Sequence, residues 1–358
     1  MRILQIITNL GTGGAEKLLV DSVPLYIEKG IDMDLLLLNG KEYPFSNQLK
    51  SRNTNYISLG NSSVYNPLLV FKIIPFLKKY DIVHVHLFPT LYWVAIAKII
   101  SLSRTKLIFT EHNTSNNRMN KFIWRLLDKL MYSKYSKIIS ITEEVQTAIK
   151  NHLKINDQAL FCIIQNGIDL SCYENSTIKE SQNIQDGEKI IIQVSSFREQ
   201  KDQKTLIKAL QLLPENIILN LVGEGIMKSD CEKLVSELKL TNRVNFLGVR
   251  TDIPELLQMS DIAVLSSHYE GFGLSAVEGM ASKTPFIASD VPGLNTVVGG
   301  AGILFSPGDE RALADKIKNL LSDKQYYYDT AKACRERANK YDINIMVDKY
   351  IYLYKSIL

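Results

Sequence analysis

A chain of 358 residues that is 46% hydrophobic can build one large or two medium globular cores without metal or disulfide staples, and two domains are expected. Its 42 basic and 38 acidic residues leave a formal net charge of +4, a surplus too small to call for a nucleic acid partner. Cys162, Cys172, Cys231 and Cys334 stand far apart with no CxxC pair, which excludes a zinc or disulfide framework and fits a reducing cytoplasm.

The opening run MRILQII is too short for a secretory apolar region, and it leads straight into the loop NLGTGG and a helical pattern from Ala15 to about Glu28. Strand, glycine loop and helix therefore open the chain. Apolar strands follow at DLLLL, DIVHVH, KLIFT and KIISI, each alternating with helical periodicity, the signature of parallel strands covered on both faces. Between them, LLVFKIIPFL and LYWVAIAKII are interrupted by Lys72, Pro75 and Lys98 well short of the ~20 residues a membrane span needs. After FCIIQNGID the stretch ENSTIKESQNIQDGE has no periodicity and reads as a linker. Strands at KIIIQVS, NIILNLVG, RVNFLG, DIAVLS and TPFIAS then repeat the α/β plan, and the chain closes on a helix from about Asn344 to Ile357. The expected domains are 1–170, 187–342 and a final helical segment, 343–358, that packs back toward the first.

Three groups of residues invite chemistry. Gly11, Gly13 and Gly14 lie between a strand and a helix, as in a dinucleotide site, but Glu16 stands where a small residue belongs and Asn39 where an acid should hold a ribose. Two readings remain for this loop: a set of N–H groups facing an anion, or a plain turn. In HYEGFGLSAVEGM, Glu270 and Glu278 are separated by seven residues, the first in a loop after a strand and the second about a turn inside a helix. Gly271 and Gly273 let the backbone approach a ligand there, and the helix N-terminus favours negative charge, as a diphosphate would supply. Taken alone, the two acids are equally an ordinary loop residue and a surface acid. They are not alone, because Arg198 and Lys201 follow another strand just before a helix capped by Asp202, at the carboxyl edge of the same sheet. Two fixed cations there can stabilise a leaving diphosphate as a divalent metal does elsewhere.

With these motifs in order, the chain resembles the retaining glycosyltransferases of family 4, in the group 1 glycosyltransferases. The resemblance runs from the N-terminal glycine loop through DIVHVH, TEHN and NGID to FREQKD, LVGEG, EGFGLSAVE and AGILFSPGDERALADKI. It implies the GT-B fold: two facing Rossmann-like α/β domains with a cleft between them, the first binding the acceptor and the second the nucleotide-sugar. It also implies roles. Glu270 contacts the donor sugar near the reacting carbon, Glu278 holds the ribose, and Phe272, Gly273 and Leu274 offer backbone contacts beside Gly271. Arg198 and Lys201 grip the diphosphate, Gly223, Val249 and Arg250 lie by the base, Gly13 and Gly14 border the donor, and His112 touches its sugar. Ser196 and Asp202 depart from glycines usual in the family, and Asn295 and Thr296 from a usual Pro-Glu pair.

No cofactor or metal is expected. Asp32 and Asp34 imitate a metal-binding DxD but precede their strand instead of following one, and His84 and His86 alternate on one strand face without a carboxylate to complete a metal triad. In the segment 118–137, Met119, Phe122, Ile123, Leu126, Leu127 and Leu130 make one helical face and Arg118, Lys121, Arg125 and Lys129 recur on the other. That pattern fits a core helix with a basic outer face, or a helix resting on anionic lipid. The expectation is a cytoplasmic, metal-independent, retaining transferase, in peripheral contact with the inner face of the plasma membrane. It moves a sugar from a UDP-sugar or GDP-sugar to a saccharide acceptor, polyprenyl-linked, in bacterial surface polysaccharide synthesis. The alternatives are an epimerase or phosphorylase of the same fold, or a catalytically silent nucleotide-binding scaffold.

Overall fold

A computed structural model describes residues 1–113, 121–155, 157–174 and 187–358. The polar stretch expected as a linker, apart from its ends, and the segment start with Arg118 and Met119 lie outside the described residues. The chain divides into two compact units, 1–167 with 343–358, and 168–342.

The first unit holds a sheet of β1 (Arg2–Ile7), β2 (Asp32–Leu37), β3 (Ile57–Ser58), β4 (Ile82–His86), β5 (Lys106–Glu111), β6 (Lys137–Ser140) and β7 (Phe161–Ile163) in the order β3-β2-β1-β4-β5-β6-β7, all parallel. Alternation along each strand splits its side chains between two cores. Leu4, Ile6, Val83, Val85, Leu107 and Phe109 enter one; Ile3, Ile7, Ile82 and Ile108 enter the other. The second core is completed by the C-terminal helix Ile343–Ile357, whose Ile343, Met346, Val347, Tyr350 and Tyr354 are buried in it. Gln5, His84 and His86 belong to that same face of the sheet by the period of two, so the helix roofs a row of polar groups.

The second unit holds β8 (Lys189–Val194), β9 (Ile217–Val222), β10 (Val244–Gly248), β11 (Ile262–Leu265), β12 (Phe286–Ser289) and β13 (Ile303–Phe305) in the order β10-β9-β8-β11-β12-β13, again parallel. From β8 the chain winds outward to β9 and β10, then returns past β8 to β11 and winds the other way. The loops after β8 and β11 therefore diverge at a switch point, which leaves a crevice at the carboxyl ends of the strands. Three strands were not foreseen. β3 is two residues long and exposed, and β7 and β13 are three residues each, so none carries enough periodic residues to register. The Asp32 expectation is also corrected: the residue opens β2 rather than preceding it.

Candidate active site

The loops that flank the switch point of the second unit carry the residues singled out from sequence. After β8 the backbone makes a short 3-10 turn, Glu199–Lys201, and then Asp202 caps the helix Gln203–Gln211 by accepting from the Thr205 N–H at 3.3 Å. Asp202 has φ +43, in the left-handed region, where a glycine would carry no strain and Asp is among the side chains that tolerate it. The loop after β11 is tied to this one through its backbone, His268 N–H donating to Gln200 O at 2.8 Å. Ser266 Oγ lies 2.8 Å from Asp202 O and 2.9 Å from Gln193 Oε1, its one hydrogen shared between the two acceptors. Those bonds hold the two loops as one piece.

Within that piece the Lys201 ammonium pairs directly with Glu270 Oε1, although 69 residues separate them in sequence. Glu270 is buried at 7% exposure, and the same oxygen accepts from Ser267 Oγ at 2.7 Å. Arg198 stands three residues earlier, exposed, without an ion pair to a described residue. Lys201 and Glu270 thus meet at the carboxyl edge at the switch point, and Arg198 precedes Lys201 on the same loop. Beyond Glu270, Gly273 caps the helix Leu274–Ala281 at φ +84; a Cβ there would come within 2.6 Å of Leu294 Cδ2. Phe272 turns inward, 2% exposed and edge-on to Tyr341 at 5.3 Å, so the loop offers its backbone and the helix N–H groups rather than the ring. Glu278 lies in this helix, half-buried.

Gly223, Val249 and Arg250 follow β9 and β10 at the same edge. Gly223 has φ +134 and its Cβ would meet Ser195 O at 2.2 Å, so loop packing alone requires glycine there. The Arg250 guanidinium is held by Asp252, with Nε to Oδ1 at 2.8 Å, while Val249 is exposed.

The remaining candidates belong to the first unit. Gly13 caps the helix Gly14–Glu28, and the Glu16 carboxylate folds back against it, 2.3 Å from where a Gly13 Cβ would stand. An anion facing this loop would have to move that carboxylate. His112 follows β5, its Nε2 3.1 Å from Nδ1 of His86. Burial pushes its pKa down to about 4. His84 is buried with Nδ1 2.7 Å from Tyr354 Oη and Nε2 2.7 Å from Thr110 Oγ1, both ring nitrogens bound within the core. Asp32 pairs with Arg2 at 3.0 Å and Asp34 accepts from Tyr80 at 2.5 Å, both at the amino end of β2, away from the ligand-binding edge.

Two family models match the chain. Residues 12–171 match Glycosyltransferase Family 4, and residues 174–341 match Glycosyl transferases group 1. The chain is a group 1 glycosyltransferase. Anabaena Alr3699/HepE, solved in complex with UDP and glucose, superposes with this glycosyltransferase at a TM-score of 0.87, 25% identity, and coverage of 99% of this chain and 100% of that one. The N-acetyl-alpha-D-glucosaminyl L-malate synthase of Bacillus anthracis is 29% identical over 78% of this chain and 75% of its own. A Campylobacter jejuni enzyme is 25% identical over 97% of this chain and 98% of its own. Its name is N-acetylgalactosamine-N,N'-diacetylbacillosaminyl-diphospho-undecaprenol 4-alpha-N-acetylgalactosaminyltransferase. The α/β architecture of the two units is that of the GT-B glycosyltransferases.

Sequence reasoning missed the support around the glycosyltransferase's acids and bases. Ser266, Ser267 and Gln193 are ordinary polar residues of strand ends, and only the folded loops show them fastening Glu270 and Asp202. It also left two readings of one surface open. The helix Phe122–Tyr132 buries Asp128, Met131 and Tyr132 and leaves Phe122, Ile123, Leu126, Leu127 and Leu130 exposed, Ile123 at 72%. Asp128 explains the orientation, since its carboxylate accepts from Tyr92 Oη at 2.6 Å and lies 2.8 Å from His152 Nε2 inside the unit. Of the readings open from sequence, the core helix with a basic outer face is the one the structure removes. No helix among the described residues is long and apolar enough to cross a membrane.

Proposed function

We propose that this chain is a retaining, metal-independent glycosyltransferase that moves a sugar from a UDP-sugar to a lipid-linked saccharide. The observation that carries the reading is the pairing of Lys201 with Glu270 at the switch point, on a loop that also bears Arg198. Lys201 and Arg198 neutralise charge that develops on a departing nucleoside diphosphate, the work a divalent ion does elsewhere. The helix Leu274–Ala281 supports the same diphosphate with its N-terminal N–H groups, and Glu278 takes the ribose hydroxyls. Glu270, released from Lys201 as the phosphates arrive, faces the sugar carbon where positive charge grows. With the acceptor hydroxyl entering on the side from which the diphosphate leaves, the phosphate oxygen takes the hydroxyl proton, the new glycosidic bond forms as the old one breaks, and configuration is kept. His112 contacts the donor sugar, with Gly13 and Gly14 beside it. Gly223, Val249 and Arg250 lie by the base.

The HepE complex with UDP and glucose supports the uridine donor. The Campylobacter relative, named for a diphospho-undecaprenol-linked sugar, supports the lipid acceptor. The exposed apolar side of the helix Phe122–Tyr132, bordered by Lys121, Arg125 and Lys129, supports contact with an anionic membrane surface on the cytoplasmic side.

The test is transfer from labelled UDP-sugars to an undecaprenyl-diphosphate saccharide, with and without EDTA, for wild type and Arg198→Ala. Transfer that persists in EDTA, keeps the anomeric configuration and falls by about 100-fold or more in the variant is expected. Loss in EDTA overturns metal independence, and an inverted product overturns retention. Conversion of donor without acceptor, consumption of inorganic phosphate, or nucleotide binding without turnover identifies an epimerase, a phosphorylase or a silent scaffold in its place.

A further inference from the structure

A chain of hydrogen bonds in the first unit begins on the C-terminal helix and ends at His112. Gln5 Nε2 donates to Tyr354 Oη at 3.0 Å and lies 3.8 Å from Met33 Sδ. Gln5 Oε1 is 2.8 Å from His86 Nε2, and His86 Nδ1 is 3.1 Å from His112 Nε2. Gln5, His86 and Tyr354 are buried, and no described residue bonds His112 Nδ1.

The direction of every proton in this chain follows from one atom. A thioether sulfur accepts weakly and never donates, so the Gln5 amide turns its N–H side to Met33 and its oxygen to His86. A carbonyl oxygen only accepts; His86 must therefore carry its hydrogen on Nε2. A neutral imidazole has one N–H, so His86 Nδ1 is a lone pair and His112 must donate to it through Nε2. Burial keeps both rings neutral, with His86 well below the usual histidine range and His112 near 4. The neighbouring titratable groups bond elsewhere: Glu111, next to His112, accepts from Tyr132 Oη at 2.8 Å, and His84 is bound to Tyr354 and Thr110.

We infer that Gln5 and His86 are positioning residues that fix His112 as its Nε2–H tautomer, so that its bare Nδ1 accepts a hydrogen bond from a substrate hydroxyl. A sugar hydroxyl has a hydrogen to give, and an acceptor of fixed direction selects the substrate that carries one there. Buried polar sites discriminate in this way because an analogue lacking the hydroxyl leaves the acceptor unpaired. The functional half of this inference rests on the proposed contact between His112 and the donor sugar. The tautomer does not.

The full-length chain labelled with 15N-histidine, with resonances assigned through His112→Ala, reads the tautomer by long-range proton–nitrogen correlation. The expected pattern is a protonated Nε2 and an unprotonated Nδ1 at His112, lost or mixed in Gln5→Met, together with a fall in kcat of about tenfold for that variant, the size of one hydrogen bond. A protonated Nδ1 at His112 in the wild type overturns the relay, because the Gln5 amide would then be turned the other way, and that result needs no variant to fold. Full transfer by His112→Ala overturns the role given to His112 at the sugar while leaving the tautomer standing. The two failures are thus told apart.

Discussion

Lys201 and Glu270 satisfy each other where neither is well hydrated, the side chains being 16% and 8% exposed. Removing one partner leaves the other as an uncompensated charge, a change that costs about 3–5 kcal/mol for a fully buried pair and less here because the ammonium reaches solvent. Lys201→Met should therefore lower both stability and transfer, the latter by about 100-fold or more. The double variant Lys201→Met, Glu270→Gln removes both charges, and Ser267 keeps a hydrogen-bond partner. It should regain most of the lost stability in urea unfolding while transfer stays lost. If the double variant were no more stable than Lys201→Met alone, the pair would not be what holds the two loops. The sequence made part of this site readable. The cap at Asp202 and the acid after β11 follow from residue type and spacing, whereas the pairing of Lys201 with Glu270 depends on two loops meeting across a switch point. The contacts Gln5–Tyr354 and His84–Tyr354 were equally out of reach, since no local pattern links β1 and β4 to a helix hundreds of residues later.

At the level of elements, apolar periodicity located the helices and long strands because each is buried on a repeating face. It does not say which face turns inward. In the helix Phe122–Tyr132 the buried Asp128, bonded to Tyr92 and near His152, decides the matter against the apolar side. Arg125 lies over the Phe122 ring at 5.1 Å, so the exposed surface mixes aromatic and basic groups as interfacial helices do. Each large apolar side chain taken into lipid contributes roughly 1.5–3 kcal/mol, and each basic residue about 1 kcal/mol near an anionic surface. The variant Phe122→Ser, Ile123→Ser, Leu126→Ser should fold normally, because these side chains are exposed, yet lose co-sedimentation with vesicles containing anionic lipid. Lys121→Glu, Arg125→Glu, Lys129→Glu should lose it as well, and wild-type binding should weaken with salt. Undiminished sedimentation of the serine variant would remove this helix from the membrane contact.

For the molecule as a whole, acid should act unequally on the two units. Four of the five histidines lie in residues 1–167, and the fifth, His268, is exposed in the other unit. Burial holds His84 near 3, His112 near 4 and His86 well below the usual value, whereas the same rings in an unfolded chain titrate near 6.5. Below 6.5 the unfolded chain therefore binds protons that the folded unit refuses. The sign is fixed: the stability these rings contribute is full above pH 6.5 and is lost progressively as pH falls toward 4, on the order of several kcal/mol in total. The C-terminal unit has no buried histidine to impose the same slope. Trp93 and Trp124, the chain's two tryptophans, both belong to the N-terminal unit, so their fluorescence follows that unit while far-UV circular dichroism follows both. Acidification from pH 7 to pH 4 at a fixed sub-denaturing urea concentration should move the fluorescence first and leave a large part of the dichroism to a second, more acid transition. Replacing His84 by Gln, which keeps hydrogen-bonding atoms but takes up no proton, should shift the first transition to lower pH. Coincident transitions by both probes would mean that the two units unfold as one, and the histidine row beneath the C-terminal helix would then set the acid limit for the entire chain.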